Sequence, residues 1–284
     1  MNKCYYNTEF DIKFVHKIHE YKQFMVNKLQ PLISKIDYLK YGVDDCYKNE
    51  LYKTVNFCFC RRYLMLINCL ENIYRLRKPS EITLPNQHTV TKLTINMQCF
   101  IFNLYGAYEN LAKIYAIITK FEAERKTEIS FFHNKKRLVK TLPEEIKTKF
   151  NKKTSEGGYY EYFNDYLKNV RHALAHNEPF YIPCEYYDEI TRSTYLGLKQ
   201  EWYKCYLNML QPQDTLSATL CHIKKCSIEL EQIDKKQKKL AFFCPVFGNN
   251  EKLYAFYSQI LNDLETLTEI SGLIFSSITN GEQK

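Results

Sequence analysis

The stretch Arg171-His172-Ala173-Leu174-Ala175-His176-Asn177-Glu178-Pro179 closes an amphipathic helix and decides how the chain reads. Upstream of it, Phe163, Leu167, Val170 and Leu174 follow one another at helical spacing, which makes a core-facing stripe. A helix is therefore predicted from Tyr159 to Asn177. At about 100° per residue, Glu161, Asp165, Lys168, His172 and His176 gather on the opposite arc. Pro179 drives Glu178 out of helical geometry and ends the helix just past the motif. Ala173 and Ala175 are small enough for a second helix to approach closely. Most other segments of the chain also read as helices, and the expected fold class is all-α.

The chemistry in this stretch comes from Arg171 and His176. A guanidinium presents a fixed fork of donors that matches a phosphate, and an imidazole exchanges a proton near neutral pH. A histidine at a helix C-terminus is also favoured in its protonated form by the macrodipole. Arg171 lies about 140° round the helix from His176, so the two meet only if the arginine bends back or faces a histidine of a second chain. The same spacing also occurs on ordinary helix surfaces, with the histidine satisfied by a helix-end carbonyl.

Arg171, a polar second position filled by His172, and His176 resemble the R-polar-x3-H signature of the HEPN superfamily. The resemblance covers about residues 96–182. It implies an HEPN-like antiparallel helical bundle, with additional N- and C-terminal helices in this chain. It also implies a homodimer whose paired motifs form one cleft, and metal-independent cleavage of RNA by its own 2′-hydroxyl, in toxin-antitoxin or antiphage defence. In that scheme Arg171 binds the scissile phosphate, His176 moves the proton or holds the hydroxyl, and His172 orients the phosphate or its partner side chain. The polar residue that such sites take from the preceding helix corresponds to Glu109 or Asn110. An antitoxin or another defence protein is an expected partner. The chain departs from one toxin branch, which continues as H-x-Y, because Glu178 stands at the tyrosine position. Other HEPN proteins only bind RNA or nucleotides, and a helical interaction subunit is a further reading.

Around the motif, the predicted organisation is an N-terminal helical region over 1–90, a core over 91–182 and a helical extension over 183–284. Residues 8–36 show broken helical periodicity, and 48–77 and 96–128 read as strong helices. A basic connector spans 131–158, with a short helix expected from Pro143. Phe180–Tyr195 lacks helical period and reads as a hairpin or ordered loop, while 198–210, 215–240 and 251–278 read as helices. Glu109 also has Lys113 four residues on, which offers a surface ion pair.

The 284 residues carry a net charge of +8, which favours an acidic partner such as RNA. Lys135, Lys136, Arg137, Lys140, Lys147, Lys149, Lys152 and Lys153 crowd the segment before the motif helix, where they serve either as an RNA-backbone patch or as a solvated linker. Tyr159, Tyr160, Tyr162 and Tyr166 are candidates for base stacking or for packing. Lys235, Lys236, Lys238 and Lys239 read as a solvated helix face.

Eleven cysteines and a start lacking an apolar signal core predict a reducing cytoplasm, and no segment is apolar enough to span a membrane. Cys58-x-Cys60 and Cys221-His222 with Cys226 lack paired C-x2-C spacing, so these cysteines are expected as buried small hydrophobes. His16 and His19 read as surface residues. No metal and no cofactor is expected. With eight glycines in all, no phosphate loop or dinucleotide turn is present.

Overall fold

The computed structural model describes residues 7–40, 46–81, 83, 85–123, 129–132, 137–146, 166–176, 182, 185–186, 189–209, 216–237, 239–240, 243–246 and 252–280. These are mostly helical, and no helix among the described residues is long and apolar enough to cross a membrane. The chain forms two compact units. One consists of Pro183–Phe242 with Met1–Tyr5 and Ile82–Leu84, and the other of Tyr6–Glu81, Pro85–Ile182 and Phe243–Lys284. Residues 183–284 are thus divided between the two.

The larger unit begins with α1 (Thr8–Phe24), capped by the Asn7 side chain, which accepts from the Phe10 N–H at 3.0 Å. A π-helical turn, Met25–Leu29, leads into α2 (Gln30–Lys40). The extra residue in such a turn shifts the side-chain register, which accounts for the broken periodicity of 8–36. The helix predicted over 48–77 is likewise interrupted. It comprises α3 (Cys46–Tyr52), a π-helical stretch Lys53–Cys60 and α4 (Arg61–Leu76).

The central helix α5 runs Gln87–Ile118, so it starts earlier and ends sooner than the predicted 96–128. Asn86 sets its start by accepting from the Thr89 N–H at 2.9 Å. Its end is a Schellman turn, with Lys120 at φ 49° and the Phe121 N–H donating to the Ala116 carbonyl at 2.9 Å. The predicted C-terminus missed this because a lysine stands where glycine usually marks the left-handed residue.

Beyond α5 come α6 (Arg137–Thr141), the motif helix α7 (Lys168–His176) and the C-terminal helix α10 (Phe256–Asn280). A β3 (Phe243–Val246) and β4 (Lys252–Ala255) antiparallel pair precedes α10, where the sequence shows helical spacing from 251 onward. Helix α5 packs against α4, α7 and α10, and α1 packs against α4 and α10. Leu93, Met97, Phe100, Leu104, Tyr108 and Leu111 of α5 are wholly buried. Phe14 of α1 stacks on Tyr74 at 5.7 Å and meets Tyr257 edge-on at 5.9 Å. Several polar groups in this core are matched. The Tyr21 hydroxyl donates to the Leu261 carbonyl at 3.1 Å, the Tyr257 hydroxyl to the Arg77 carbonyl at 3.1 Å, and Asp11 accepts from the Ser80 N–H at 3.0 Å.

The smaller unit is built on α8 (Glu189–Met209) and α9 (Leu216–Gln237), which pack side by side. Its β1 (Glu185–Tyr186) pairs antiparallel with the distant β2 (Lys239–Leu240). The hairpin or loop expected over 180–195 therefore gives way to a helix from Glu189 onward.

Candidate functional site

The motif helix follows a buried π-helical turn at Tyr166 and Leu167 and lays its apolar side on α5. Leu167, Val170 and Ala173 are buried, Leu174 is partly buried, and Lys168 and His172 are exposed, as the predicted stripe requires. Tyr166 is a packing residue. It is 3 % exposed, and its hydroxyl donates to Asp263 Oδ2 at 2.8 Å.

Arg171 reaches from this helix to α5. Its guanidinium carbon lies 4.9 Å from the centroid of the Tyr105 ring. Phe132 stacks on the same ring at 4.0 Å with an interplanar angle of 12°, so the arginine takes the opposite face. A cation over an aromatic face is held by the ring's quadrupole. That leaves the N–H donors for other partners. Among the described residues, no carboxylate lies within ion-pair distance of Arg171.

One helical turn on from Tyr105, Glu109 accepts a hydrogen bond from Ser130 Oγ at 2.9 Å, and the Phe132 N–H donates to that same Ser130 oxygen at 3.2 Å. The short segment 129–132 thus fixes both the carboxylate and the ring beneath the arginine. The ion pair foreseen between Glu109 and Lys113 does not form, because Lys113 pairs with Glu50 at 2.9 Å. Burial, then the neighbouring Glu109 charge, push the Tyr105 hydroxyl above its ordinary range, against the opposing pull of Arg171. Asn110 Nδ2 is buried with no hydrogen-bond partner among the described residues.

A second guanidinium, which sequence reading missed, approaches α5 at the adjacent residue. Arg62 of α4 lies so close to Gly106 that a Cβ there would stand 2.5 Å from its Cζ. Its Nη1 donates to Asn103 Oδ1 at 3.4 Å, and no carboxylate pairs with it among the described residues. Arg171 and Arg62 therefore bracket Tyr105 and Gly106, about 100° apart round the helix. The available signal was Gly106 itself, since a mid-helix glycine costs about 1 kcal/mol against alanine and needs a packing reason.

Of the other expected residues, Arg137 and Lys140 are exposed, and the Arg137 guanidinium lies 5.6 Å from the Phe121 ring centroid. The His176 side chain lies outside the described residues, as do Lys135, Lys136, Lys147, Lys149, Lys152, Lys153, Tyr159, Tyr160, Tyr162, Glu161, Phe163, Asp165 and Glu178. His16 pairs with Glu20 at 3.1 Å and so behaves as a surface histidine. No protein-family model, curated protein or solved structure matches this chain.

Proposed function

We propose that the chain is an endoribonuclease of the HEPN type, with an HEPN-like core, that cleaves RNA by attack of the 2′-hydroxyl without a catalytic metal. The observation that carries this reading is Arg171, held over Tyr105 with its charge unmatched by any described carboxylate, beside a fixed Glu109. Such a cation is ready to take a phosphodiester and to offset charge as it builds on the phosphorus oxygens. His176, five residues on in the motif, transfers the proton. His172 on the exposed arc and Asn110 on α5 orient the phosphate. Arg62 supplies a second contact to the RNA backbone, with Arg137 and Lys140 extending the basic surface. The active form is a homodimer that brings two motif helices together, in the cytoplasm, and its setting is toxin-antitoxin or antiphage defence with a partner protein that restrains it.

The test is cleavage of total RNA by the purified full chain, in buffer with and without EDTA, with product ends analysed. Cyclic-phosphate ends from wild type, lost in both Arg171→Ala and His176→Ala, are expected. RNA binding without cleavage by the wild type would make the protein a non-catalytic RNA- or nucleotide-binding member of that class. Dimer formation with neither activity would make it an interaction subunit.

A further inference from the structure

The smaller unit carries a cluster of donors remote in sequence from the motif. On α8, Glu201 and Cys205 are four residues apart, and on α9 so are His222 and Cys226. An i,i+4 pair lies on one helix face, with Cβ atoms about 5–6 Å apart. Each pair therefore aims two donors in one direction.

The two helices pack so that these pairs face each other. Glu201 Oε1 stands 2.7 Å from His222 Nε2. One donor atom each from Glu201, His222 and Cys226 lies within 4.8 Å of the others. Beside them, Trp202 Nε1–H donates to Ser227 Oγ at 3.0 Å and the Trp202 ring stacks on Tyr206. That bond ties α8 to α9 at the level of the cluster.

We propose that Glu201, His222 and Cys226, completed by Cys205, bind one zinc ion that clamps α8 to α9. Zinc bonds of about 2.0–2.3 Å in a tetrahedron set neighbouring donors roughly 3.3–3.8 Å apart. Glu201, His222 and Cys226 already stand within 4.8 Å of one another, and Cys205, one turn on from Glu201 on the same helix face, is the fourth donor. Two thiolates and an imidazole select zinc over magnesium or calcium, which take oxygen donors.

Exposure supports the assignment. Cys226 is 3 % exposed, whereas the side chains of His222 and Glu201 are 42 % and 52 % exposed and leave an entry path for the ion. The hydrogen bond between His222 and Glu201 alone would account for only half of the converging donors.

The site does not depend on the nuclease reading, and its test needs no RNA. The full chain, purified without affinity metals under a non-thiol reductant, is titrated with Co²⁺ and then with Zn²⁺. The expected result is one Co²⁺ per chain, with a thiolate-to-cobalt charge-transfer band and the intense visible bands of a tetrahedral site, both bleached by zinc. His222→Gln, Glu201→Gln and Cys205→Ser weaken binding by at least about tenfold, and Cys226→Ser, which leaves one thiolate, reduces the charge-transfer band as well as the affinity. Cys221→Ser, which alters the exposed neighbouring thiol, leaves the spectrum intact. If Cys226→Ser fails to fold by circular dichroism, His222→Gln and Glu201→Gln decide, since both side chains are partly exposed. Absence of a thiolate band in the wild type, or an unchanged spectrum in folded His222→Gln, overturns the proposal.

Discussion

The Tyr166 hydroxyl donates to Asp263 Oδ2 at 2.8 Å, joining the start of the motif helix to the C-terminal helix α10. Asp263 is fully buried and also accepts from Gln259 Nε2 at 2.7 Å. Removing one donor from a buried carboxylate costs about 1–3 kcal/mol. Tyr166→Phe is expected to lower stability by that amount, seen as a lower urea midpoint at unchanged slope. A stability loss below about 0.5 kcal/mol, within the range of ordinary surface substitutions, would show that α10 does not anchor the motif helix.

Arg171 and Lys differ in what they offer a phosphate, because the ammonium lacks the planar fork. Under the nuclease reading, Arg171→Lys keeps the charge over Tyr105 yet loses the bidentate contact, and Arg171→Ala loses both. Loss of one such transition-state donor costs about 10²–10³ in rate, so Arg171→Ala is expected to fall by at least that factor and Arg171→Lys by less. Stability should change by only about 0.5–1 kcal/mol, the worth of a partly exposed cation–π contact. Equal cleavage by all three proteins in single-turnover assays would remove Arg171 from the chemistry.

The sequence made the motif helix and its faces legible because Leu167, Val170 and Leu174 repeat at helical spacing. It also placed Glu109 and Asn110 on the helix that the motif packs against. Arg62 and Ser130 stayed hidden because they reach the site from elements distant in sequence, with no period to reveal them. The same reason hid the other half of the cluster around His222 and Cys226. Spacing within one helix shows two donors, and only the packing of α8 on α9 supplies Glu201. The π-helical turn Met25–Leu29 was visible only as broken periodicity in 8–36, whereas the stretch Lys53–Cys60 left no mark on the helix read over 48–77.

Gly106→Ala separates stability from function at the second arginine. Alanine improves the helix by about 1 kcal/mol, while its methyl group displaces the Arg62 guanidinium from a contact that would close to 2.5 Å. The arginine is the flexible end of a long side chain, so it moves rather than breaking the packing. Thermal unfolding is expected at or slightly above the wild-type temperature. RNA affinity, measured by fluorescence anisotropy at fixed salt, is expected to fall, and Arg62→Ala should match it. Wild-type affinity in both variants would place Arg62 outside the RNA-binding surface.

Alkaline pH should weaken the larger unit through Cys60. This residue is 5 % exposed, and burial pushes its thiol up to about 12. An unfolded chain ionises the same thiol near about 8.5. Below that pH both states hold the proton, and the stabilising effect is complete. As pH rises between the two values, only the unfolded state loses its proton and is favoured, at about 1.4 kcal/mol per pH unit for one group. The loss levels off once pH passes the folded value. Tyr21 and Tyr63, both raised chiefly by burial, add to the loss above about pH 10. Urea unfolding of wild type and Cys60→Ala across pH 8–10 isolates the thiol. The variant starts less stable because a buried side chain is shortened, and its stability is expected to decline more slowly with pH. Parallel slopes for the two proteins would mean that Cys60 meets water in the native state.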